Sequence, residues 1–413
     1  MKNQYLPLYK LLCLFFLLMF VETSSLQATE NFRNFRFRQL STSDGLSTND
    51  IQQVYQDKEG YIWMATRNGL AKYNGYEMKI YKSNIYNWNL LGNNNISCIE
   101  EDTKHRIWIG TYDGLNVLDK VTGKIKQINK TEFSNNAISK ILVTRKGQIL
   151  LGTDQGLYQY IPERDSCVLF TRETTKDVMP QTSVKSLLED SKGNIWIGTW
   201  NEGLYRYDPE EGKYFAYPKM NERKSAHVVF EDSHHQIWVG TWEGGLFLLK
   251  NPYDMERVSW DVFRNEPAVE SSLADNTIYA LSEDRNTNSL WVGTRSGLSI
   301  LPYGTTSFVN YYPDESGHSI SGNEVTSMIC DQQGMMWLST LGGGVTAIIT
   351  RELNFALDHL ENIKKVFKTN SVRNILVDDE GLMWLSIGTY GLVVYNRQTG
   401  EWWNMRQLGF PDT

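Results

Sequence analysis

The chain has 413 residues, a formal net charge of −7 and a globular composition, with 41% hydrophobic and 22% charged residues. The acidic balance argues against a nucleic-acid-binding function, because phosphate binding needs a clustered cationic face. Thirteen Trp, 22 Tyr and 32 Gly beside only ten Pro favour β-structure with many turns.

The N-terminus has the pattern of a secretory signal peptide over residues 1–28. Lys2 and Lys10 give a positive start, residues 11–21 are continuously apolar, and small or polar residues follow. The apolar run is short for a membrane span, so we predict cleavage rather than anchoring. An uncleaved signal anchor is the alternative.

A motif of the form Ile-Trp-Ile-Gly-Thr, followed by a short turn and Gly-Leu, recurs at intervals of 42 to 53 residues. Its copies are centred on Trp63, Trp108, Leu150, Trp196, Trp238, Trp291, Trp337 and Trp384. Each copy offers four strand-like segments, and the motif strand is apolar on both faces, which requires packing on both sides. Four short antiparallel strands per repeat predict an all-β fold, a β-propeller of four-stranded blades.

An Asp usually stands six residues before the central Trp, and a Gly often follows that Asp by three positions. The Asp residues are Asp57, Asp102, Asp190, Asp232, Asp331 and Asp378, and the glycines are Gly60, Gly193, Gly334 and Gly381. Asp at the start of a turn accepts backbone N–H bonds, and Gly near its end adopts positive φ. We therefore interpret these carboxylates as turn residues and not as catalytic groups.

The segment 35–40 resembles a fourth strand that has no blade of its own. If it completes the blade of the seventh repeat, residues 31–351 form a seven-bladed propeller. Residues 355–360 resemble a second copy of this opening strand, so residues 352–413 would be the first blade of an incomplete second propeller. A single eight-bladed ring is the alternative, since both blade numbers occur.

The sequence offers no pattern of a catalytic, cofactor or metal site. None of the six His residues has a metal-binding spacing such as His-Glu-x-x-His. His105 and His235 occupy the turn position at which other repeats place Gly, so we expect surface turn residues. The glycines at 342–344 lack the Lys-Ser/Thr of a phosphate loop and fall in the second turn of the repeat.

Residues that vary inside a regular repeat are the candidates for ligand binding. The turn after the second strand begins with a different residue in most copies, and Leu341 occupies this position in the seventh. The predicted ligand-binding residues are Arg67, Tyr112, Asp154, Trp200, Trp242 and Arg295. Propeller geometry should place these turns around one mouth of the central channel. Aromatic rings there would stack on sugars, or else cap the blade packing or contact another domain.

The pattern Asp-x-x-Gly-x-Ile-Trp-Ile-Gly-Thr-x-x-Gly-Leu resembles the two-component regulator propeller repeat. Residues 40–51 and 69–75 are similar to the start of such sensors, and the resemblance covers essentially the whole mature chain. It implies the N-terminal periplasmic sensor region of a hybrid two-component system of the Bacteroidetes type. There, two seven-bladed propellers usually precede a membrane helix and a histidine kinase, and the sensor detects breakdown products of complex glycans.

The resemblance thus implies a periplasmic ligand-sensing domain, tethered to the membrane if it is part of a longer sensor. We expect an oligosaccharide as ligand and the remaining sensor domains or a membrane kinase as partners, while a homodimer is left open. We expect no enzyme activity, no cofactor and no nucleic acid, since these residues contain no kinase or DNA-binding segment. The chain would be either a truncated piece of a larger sensor or a degenerate relic or decoy.

Two alternatives remain open at this stage. A propeller enzyme acting on polysaccharide, such as a lyase, would need a convergent cluster of His, Tyr, Arg or carboxylate groups in the channel. A protein-interaction scaffold would instead show a large exposed apolar patch.

Overall fold

The computed structural model describes residues 35–84, 86, 90–128, 137–170, 179, 181–217, 225–314, 319–350, 372–378, 380–396, 399–404 and 407. The predicted signal peptide and the segment 355–360 lie outside the described residues. Over the described ranges the elements are strands and two short 3-10 helices, Thr42–Asp44 and Gly388–Tyr390. None of the helices in this part is long and apolar enough to cross a bilayer.

The strands fall into four-stranded sheets, numbered here as blades in chain order. The first strand is β1 (Arg36–Leu40). Blade 1 contains β2 (Ile51–Gln56), β3 (Ile62–Thr66), β4 (Gly69–Tyr73) and β5 (Met78–Tyr81). Blade 2 contains β6 (Ile96–Glu101), β7 (Arg106–Thr111), β8 (Gly114–Asp119) and β9 (Ile125–Gln127). Blade 3 contains β10 (Ile138–Val143), β11 (Ile149–Thr153), β12 (Gly156–Ile161) and β13 (Ser166–Leu169).

Blade 4 contains β14 (Val184–Glu189), β15 (Ile195–Thr199), β16 (Leu204–Asp208) and β17 (Lys213–Tyr217). Blade 5 contains β18 (Val228–Glu231), β19 (Ile237–Gly240), β20 (Leu246–Lys250) and β21 (Ser259–Phe263). Blade 6 contains β22 (Ile278–Asp284), β23 (Ser289–Thr294), β24 (Gly297–Leu301) and β25 (Val309–Tyr311). Blade 7 contains β26 (Val325–Cys330), β27 (Met335–Thr340) and β28 (Gly344–Ile349). The C-terminal sheet contains β29 (Val372–Val377), β30 (Leu382–Ile387), β31 (Gly391–Asn396) and β32 (Trp402–Asn404).

Blade 7 receives its fourth strand from the other end of the chain. β1 pairs antiparallel with β28, so that Arg36 lies opposite Ile349 and Leu40 opposite Val345. The first strands of the seven blades contact one another in a closed circle, because β26 lies against β2 as well as against β22. The predicted seven-bladed, all-β propeller is therefore confirmed, and the eight-bladed alternative is wrong.

The chain divides into two compact units, Met1–Arg351 and Glu352–Thr413. The first holds the seven blades, and the second holds the C-terminal sheet, which is antiparallel and four-stranded like a blade. That this sheet begins a second propeller stays a prediction.

In the seven-bladed ring, the central Trp of a motif packs between its own blade and the next one. Trp63, for example, is buried among Leu91, Ile96 and Ile99, all of which belong to blade 2 or precede it. Trp196 is buried in the same way against residues of blade 5. The two-sided apolar pattern of the second strand thus has its expected cause, because each sheet is covered on both faces.

The turn Asp has a second role, which the sequence interpretation missed. In blade 1, Asp57 accepts the Tyr61 backbone N–H at 2.9 Å through one oxygen and the Trp63 indole N–H at 2.8 Å through the other. The same indole bond, 2.7–2.9 Å long, joins Asp102 to Trp108, Asp190 to Trp196, Asp232 to Trp238, Asp331 to Trp337 and Asp378 to Trp384. The constant six-residue spacing between Asp and Trp was the sequence signal from which this bond could have been predicted.

Two blades depart from this pattern in instructive ways. Blade 3 has Thr144 and Leu150 in place of both partners, so neither a donor nor an acceptor is left over. In blade 6, Trp291 follows Asp284 by seven positions instead of six, and the buried Trp291 indole nitrogen has no acceptor among the described residues. Asp284 and Trp291 are thus both present, but with the extra residue between them the indole hydrogen bond is not formed.

The turns also close as predicted. Gly60 and Gly193 have φ of +92° and +86°, and His105 and His235 take the same left-handed position at +60° and +61°. The prediction that these two His are turn residues is confirmed, and both side chains are exposed.

A second repeated bond joins neighbouring blades beside these turns. The residue after the turn Asp, or its counterpart, donates its backbone N–H to the side chain that precedes the turn in the next blade. These inter-blade bonds, 2.6–2.8 Å long, are Lys58 to Glu101, Arg145 to Glu189, Ser191 to Glu231, Ser233 to Glu283 and Gln332 to Gln56. Four carboxylates and the Gln56 amide oxygen thus each accept a turn N–H of the neighbouring blade.

Candidate functional site: the channel mouth

The turn after the second strand is built in the same way in every blade of the ring. The Thr that ends the motif donates its hydroxyl to the carbonyl of the Gly that opens the third strand, as Thr66 does to Gly69 at 2.7 Å. The other pairs are Thr111–Gly114, Thr153–Gly156, Thr199–Gly203, Thr241–Gly245, Thr294–Gly297 and Thr340–Gly344. The candidate residues directly follow this Thr.

Backbone N–H groups then fix most of the candidates against the segment before the first strand. The Arg67 N–H donates to the Asp50 carbonyl, and the Trp200 N–H donates to the Ser183 carbonyl. In blade 5 the Ser225 hydroxyl accepts the Trp242 N–H instead, at 3.0 Å. Because the backbone carries these bonds, the side chain is free to differ between blades, as the sequence argument supposed.

A cavity of about 450 Å³ lies at this end of the ring and is lined by the first strands of all seven blades. Of the predicted residues, Arg67, Tyr112 and Asp154 line it, together with Leu341. Trp200 and Trp242 lie beside its wall, where both contact the lining residue His227. Arg295 is not on the wall; its guanidinium lies 3.5 Å from the Asp275 carboxylate.

Four aromatic rings cluster where blades 4, 5 and 6 meet the cavity. The Trp200 and Trp242 ring centroids are 5.2 Å apart in an edge-to-face arrangement, and His227 lies 6.2 Å from each. Tyr279 completes this aromatic cluster, with its ring 5.7 Å from that of His227 and 6.0 Å from that of Trp242. The sequence prediction had the two Trp residues but missed His227 and Tyr279, which precede or begin first strands.

His227 is a neutral hydrogen-bonding group in this cluster. Burial lowers the pKa of its imidazole to about 4, and the charge of Lys185 acts in the same direction. Its Nδ1 atom is buried and has no hydrogen-bond partner in the described part of the chain. A buried polar atom of this kind is one of the few in the structure and is costly to leave unpaired.

The charged groups lie towards blades 1, 3 and 4. Lys185 and Asp154 form an ion pair of 2.8 Å, and the hydrogen bond from this Lys holds the pKa of the Asp carboxyl below its usual range. Lys185 also lies 5.8 Å from the Trp200 ring centroid, within cation–π range. Arg67 and Lys140 line the same cavity.

One acidic cluster elsewhere has the ligand types of a metal site. Oxygens of Glu59 and Glu101 and a ring nitrogen of His105 lie within 4.8 Å of one another. The Lys120 ammonium already bonds to both carboxylates and lies 3.4 Å from Asp57. The local negative charge is thus compensated by a side chain, and we assign an ion-pair cluster here.

Comparison with known proteins identifies the repeat. The family described as two component regulator propeller matches residues 45–68, 90–113, 179–201, 272–296 and 319–342. Five segments of this chain therefore match the two-component regulator propeller repeat. The resemblance seen in the sequence is therefore confirmed, and all five matched segments end within a mouth turn, one residue beyond a predicted residue or Leu341.

Among curated proteins, histidine kinase P4 of Formosa agariphila is 28% identical over 370 residues, which include 76% of this chain. The chain spans about a quarter of that protein, since the match covers 26% of its length. The part of that protein that is similar to this chain is therefore a minor portion of a much longer histidine kinase.

Two solved structures of extracellular domains of hybrid two-component systems from B. thetaiotaomicron are similar in fold. Each has a TM-score of 0.63; their identities are 18% and 23%, and they cover 90% and 89% of this chain against 54% and 47% of their own. Virginiamycin B lyase from Staphylococcus aureus has a TM-score of 0.59 at 10% identity, covering 76% of this chain and 99% of its own. At these identities the likeness is one of propeller fold alone.

Proposed function

We propose that this propeller is the ligand-binding part of an extracytoplasmic two-component sensor and that its ligand is a glycan fragment bound at the channel mouth. The observation that carries the proposal is the aromatic cluster of Trp200, His227, Trp242 and Tyr279 beside a cavity with polar walls. Ligand sites combine apolar and aromatic surface with a few placed polar groups.

The chemistry of the cluster suits a sugar ring. Trp and Tyr offer large flat apolar faces with one polar edge, which match the C–H face of a pyranose and its hydroxyls. His227 adds a neutral nitrogen with unused hydrogen-bonding capacity, and Tyr112, 50% exposed, adds a hydroxyl on the opposite wall. A cavity of about 450 Å³ accommodates a di- or trisaccharide-sized ligand.

The sensor role is supported by the repeat family and by the relative named as a histidine kinase. In such a system the ligand would favour one of two arrangements of the sensor through its differential affinity, and a kinase would read the change. We propose that the chain is exported by residues 1–28 and that the remaining sensor domains or a membrane kinase are its partners.

A thermal-shift and calorimetric screen of plant, algal and host oligosaccharides on the purified protein tests this proposal. A binding glycan should raise the unfolding temperature, and Trp200→Ala and Trp242→Ala should each weaken its binding at least tenfold. Tyr76→Ala, which removes an aromatic side chain that is 95% exposed outside the mouth, is the matched control. If no glycan in the panel binds, or if the control weakens binding equally, the proposal fails.

A further inference from the structure

The mouth of the channel is chemically divided. The aromatic cluster occupies the side formed by blades 4 to 6, whereas the side formed by blades 1 to 3 carries Arg67, Tyr112 and Lys140. A ligand that spans the cavity therefore meets flat apolar rings at one end and cationic groups at the other.

The cations on this side lack partners in the described part of the chain. Lys185 is neutralised by Asp154, but neither Arg67 nor Lys140 makes a side-chain hydrogen bond or an ion pair there. The Arg67 backbone N–H donates to the Asp50 carbonyl, so this bond fixes the turn without the guanidinium. Two unpaired cations at one mouth of a protein with a net charge of −7 are unexpected from composition.

Two carboxylates near the cavity are candidates to neutralise Arg67 and Lys140. Glu324 lines the cavity on blade 7, where its charge helps to raise the pKa of Tyr279 after the larger effect of burial. Glu100 of blade 2 interacts electrostatically with Lys140 of blade 3. It is half-buried, and burial raises the pKa of its carboxyl to about 7. The charge of Lys140 lowers the pKa of Glu100 against the larger effect of burial, but neither carboxylate lies within ion-pair distance of Arg67 or Lys140.

Resting on the proposed function, we infer that the glycan fragment is acidic. Its carboxylate or sulfate is held by Arg67 and Lys140, with Tyr112 between them, while a sugar ring lies on the aromatic cluster. A guanidinium forms paired hydrogen bonds with both kinds of anion, and charge-assisted bonds of this type are stronger than neutral ones.

Calorimetry with matched pairs of sugars tests the inference. The probes are tetragalacturonate and its carboxyl-reduced form, and a sulfated galactan tetramer and its desulfated form. We expect at least one acidic member to bind at least tenfold more tightly than its neutral counterpart and to weaken as NaCl is raised. The pair that shows the difference distinguishes carboxylate from sulfate.

Variants locate the anion. Arg67→Gln with Lys140→Gln should lower the affinity for the acidic sugar at least tenfold and leave the neutral one unchanged. Lys104→Gln removes one positive charge in an exposed turn between the first and second strands of blade 2, and it should have no effect on the affinity for either sugar. Unfolding midpoints without ligand check that both variants fold.

The outcomes separate the two proposals. If neutral sugars bind as tightly as acidic ones, or if the double variant binds the acidic sugar normally, the acidic-ligand inference is overturned and the glycan site survives. If no sugar binds at all, both the acidic-ligand inference and the proposed function fail.

Discussion

The two ends of each blade differ in which part of the repeat is constant, the side chains or the backbone bonds. At the turn end, where the first and second strands meet, side chains repeat: Asp binds Trp within a blade and Glu binds the backbone of the blade before it. At the channel mouth, the Thr–Gly bond and the backbone anchors repeat, while the side chains differ in almost every blade. Stability is thus concentrated at one end, which leaves side-chain chemistry at the other free to vary.

The largest expected contrast between the two ends is in Trp truncation. Trp196→Ala removes a fully buried ring and the indole bond to Asp190, so we expect a loss of about 3–5 kcal/mol in the free energy of unfolding. Trp200→Ala, at the mouth, should cost about 1 kcal/mol or less. Urea unfolding of both variants measures the difference, and equal losses would contradict the division of roles.

A finer test uses the blade in which the indole bond is broken. Trp196→Phe should cost about 1–3 kcal/mol because Asp190 loses a buried donor. Trp291→Phe removes an indole N–H that has no acceptor in the described structure and should cost less. Chemical unfolding of the pair checks this order, and the reverse order would show that ring packing alone decides.

The inter-blade bonds predict a smaller effect. Glu231→Ala removes the acceptor of both the Ser191 backbone N–H and its hydroxyl, and we expect a loss of about 1–2 kcal/mol. Glu231→Gln keeps one acceptor oxygen and should recover part of this loss. Glu210→Ala, in an exposed turn of blade 4, is the matched control and should change stability by less than about 0.5 kcal/mol. Equal effects of Glu231→Ala and its control would rule out a role in closing the ring.

The smallest net effect is expected from pH, because two groups oppose each other. His227 has a lowered pKa of about 4, so its contribution to stability is present above its unfolded pKa of 6.5 and is lost as pH falls towards 4. Glu100 has a raised pKa of about 7, so its contribution is present below its unfolded value of 4.5 and is lost as pH rises towards 7.

Single substitutions should separate these two contributions. Relative to the parent protein, Glu100→Gln should become progressively more stable as pH rises from 4.5 to 7, since the ionised form no longer has to be buried. His227→Gln should gain relative stability as pH falls from 6.5 to 4. Unfolding at a series of pH values measures both slopes, and parallel curves for parent and variant would refute the corresponding burial effect.

The C-terminal sheet differs from a blade of the ring in the burial of its first strand. In blade 1 the first-strand residue Val54 is completely buried, whereas Ile375 and Leu376 of β29 are 60% and 65% exposed. The sequence pattern of the two strands is alike, and the pairing within each sheet is the same. The strand pairing is therefore the same in the two sheets, while the burial of the equivalent first-strand positions differs.

The repeat, the four strands per blade, the turns with positive φ and the closing role of residues 35–40 followed from the sequence, because each depends on spacing along the chain. The same holds for the placement of Arg67, Tyr112, Asp154, Trp200 and Trp242 around one mouth. Their role in binding a ligand stays a prediction.

Only the tertiary structure brought His227 and Tyr279 to the two Trp rings and left Arg67 and Lys140 without a side-chain partner among the described residues. These contacts join different blades, so their distances are fixed by how the ring closes and by which side chains meet across it. Local periodicity determines which strand faces are buried, but it carries no information about which residues of separate repeats meet across the channel.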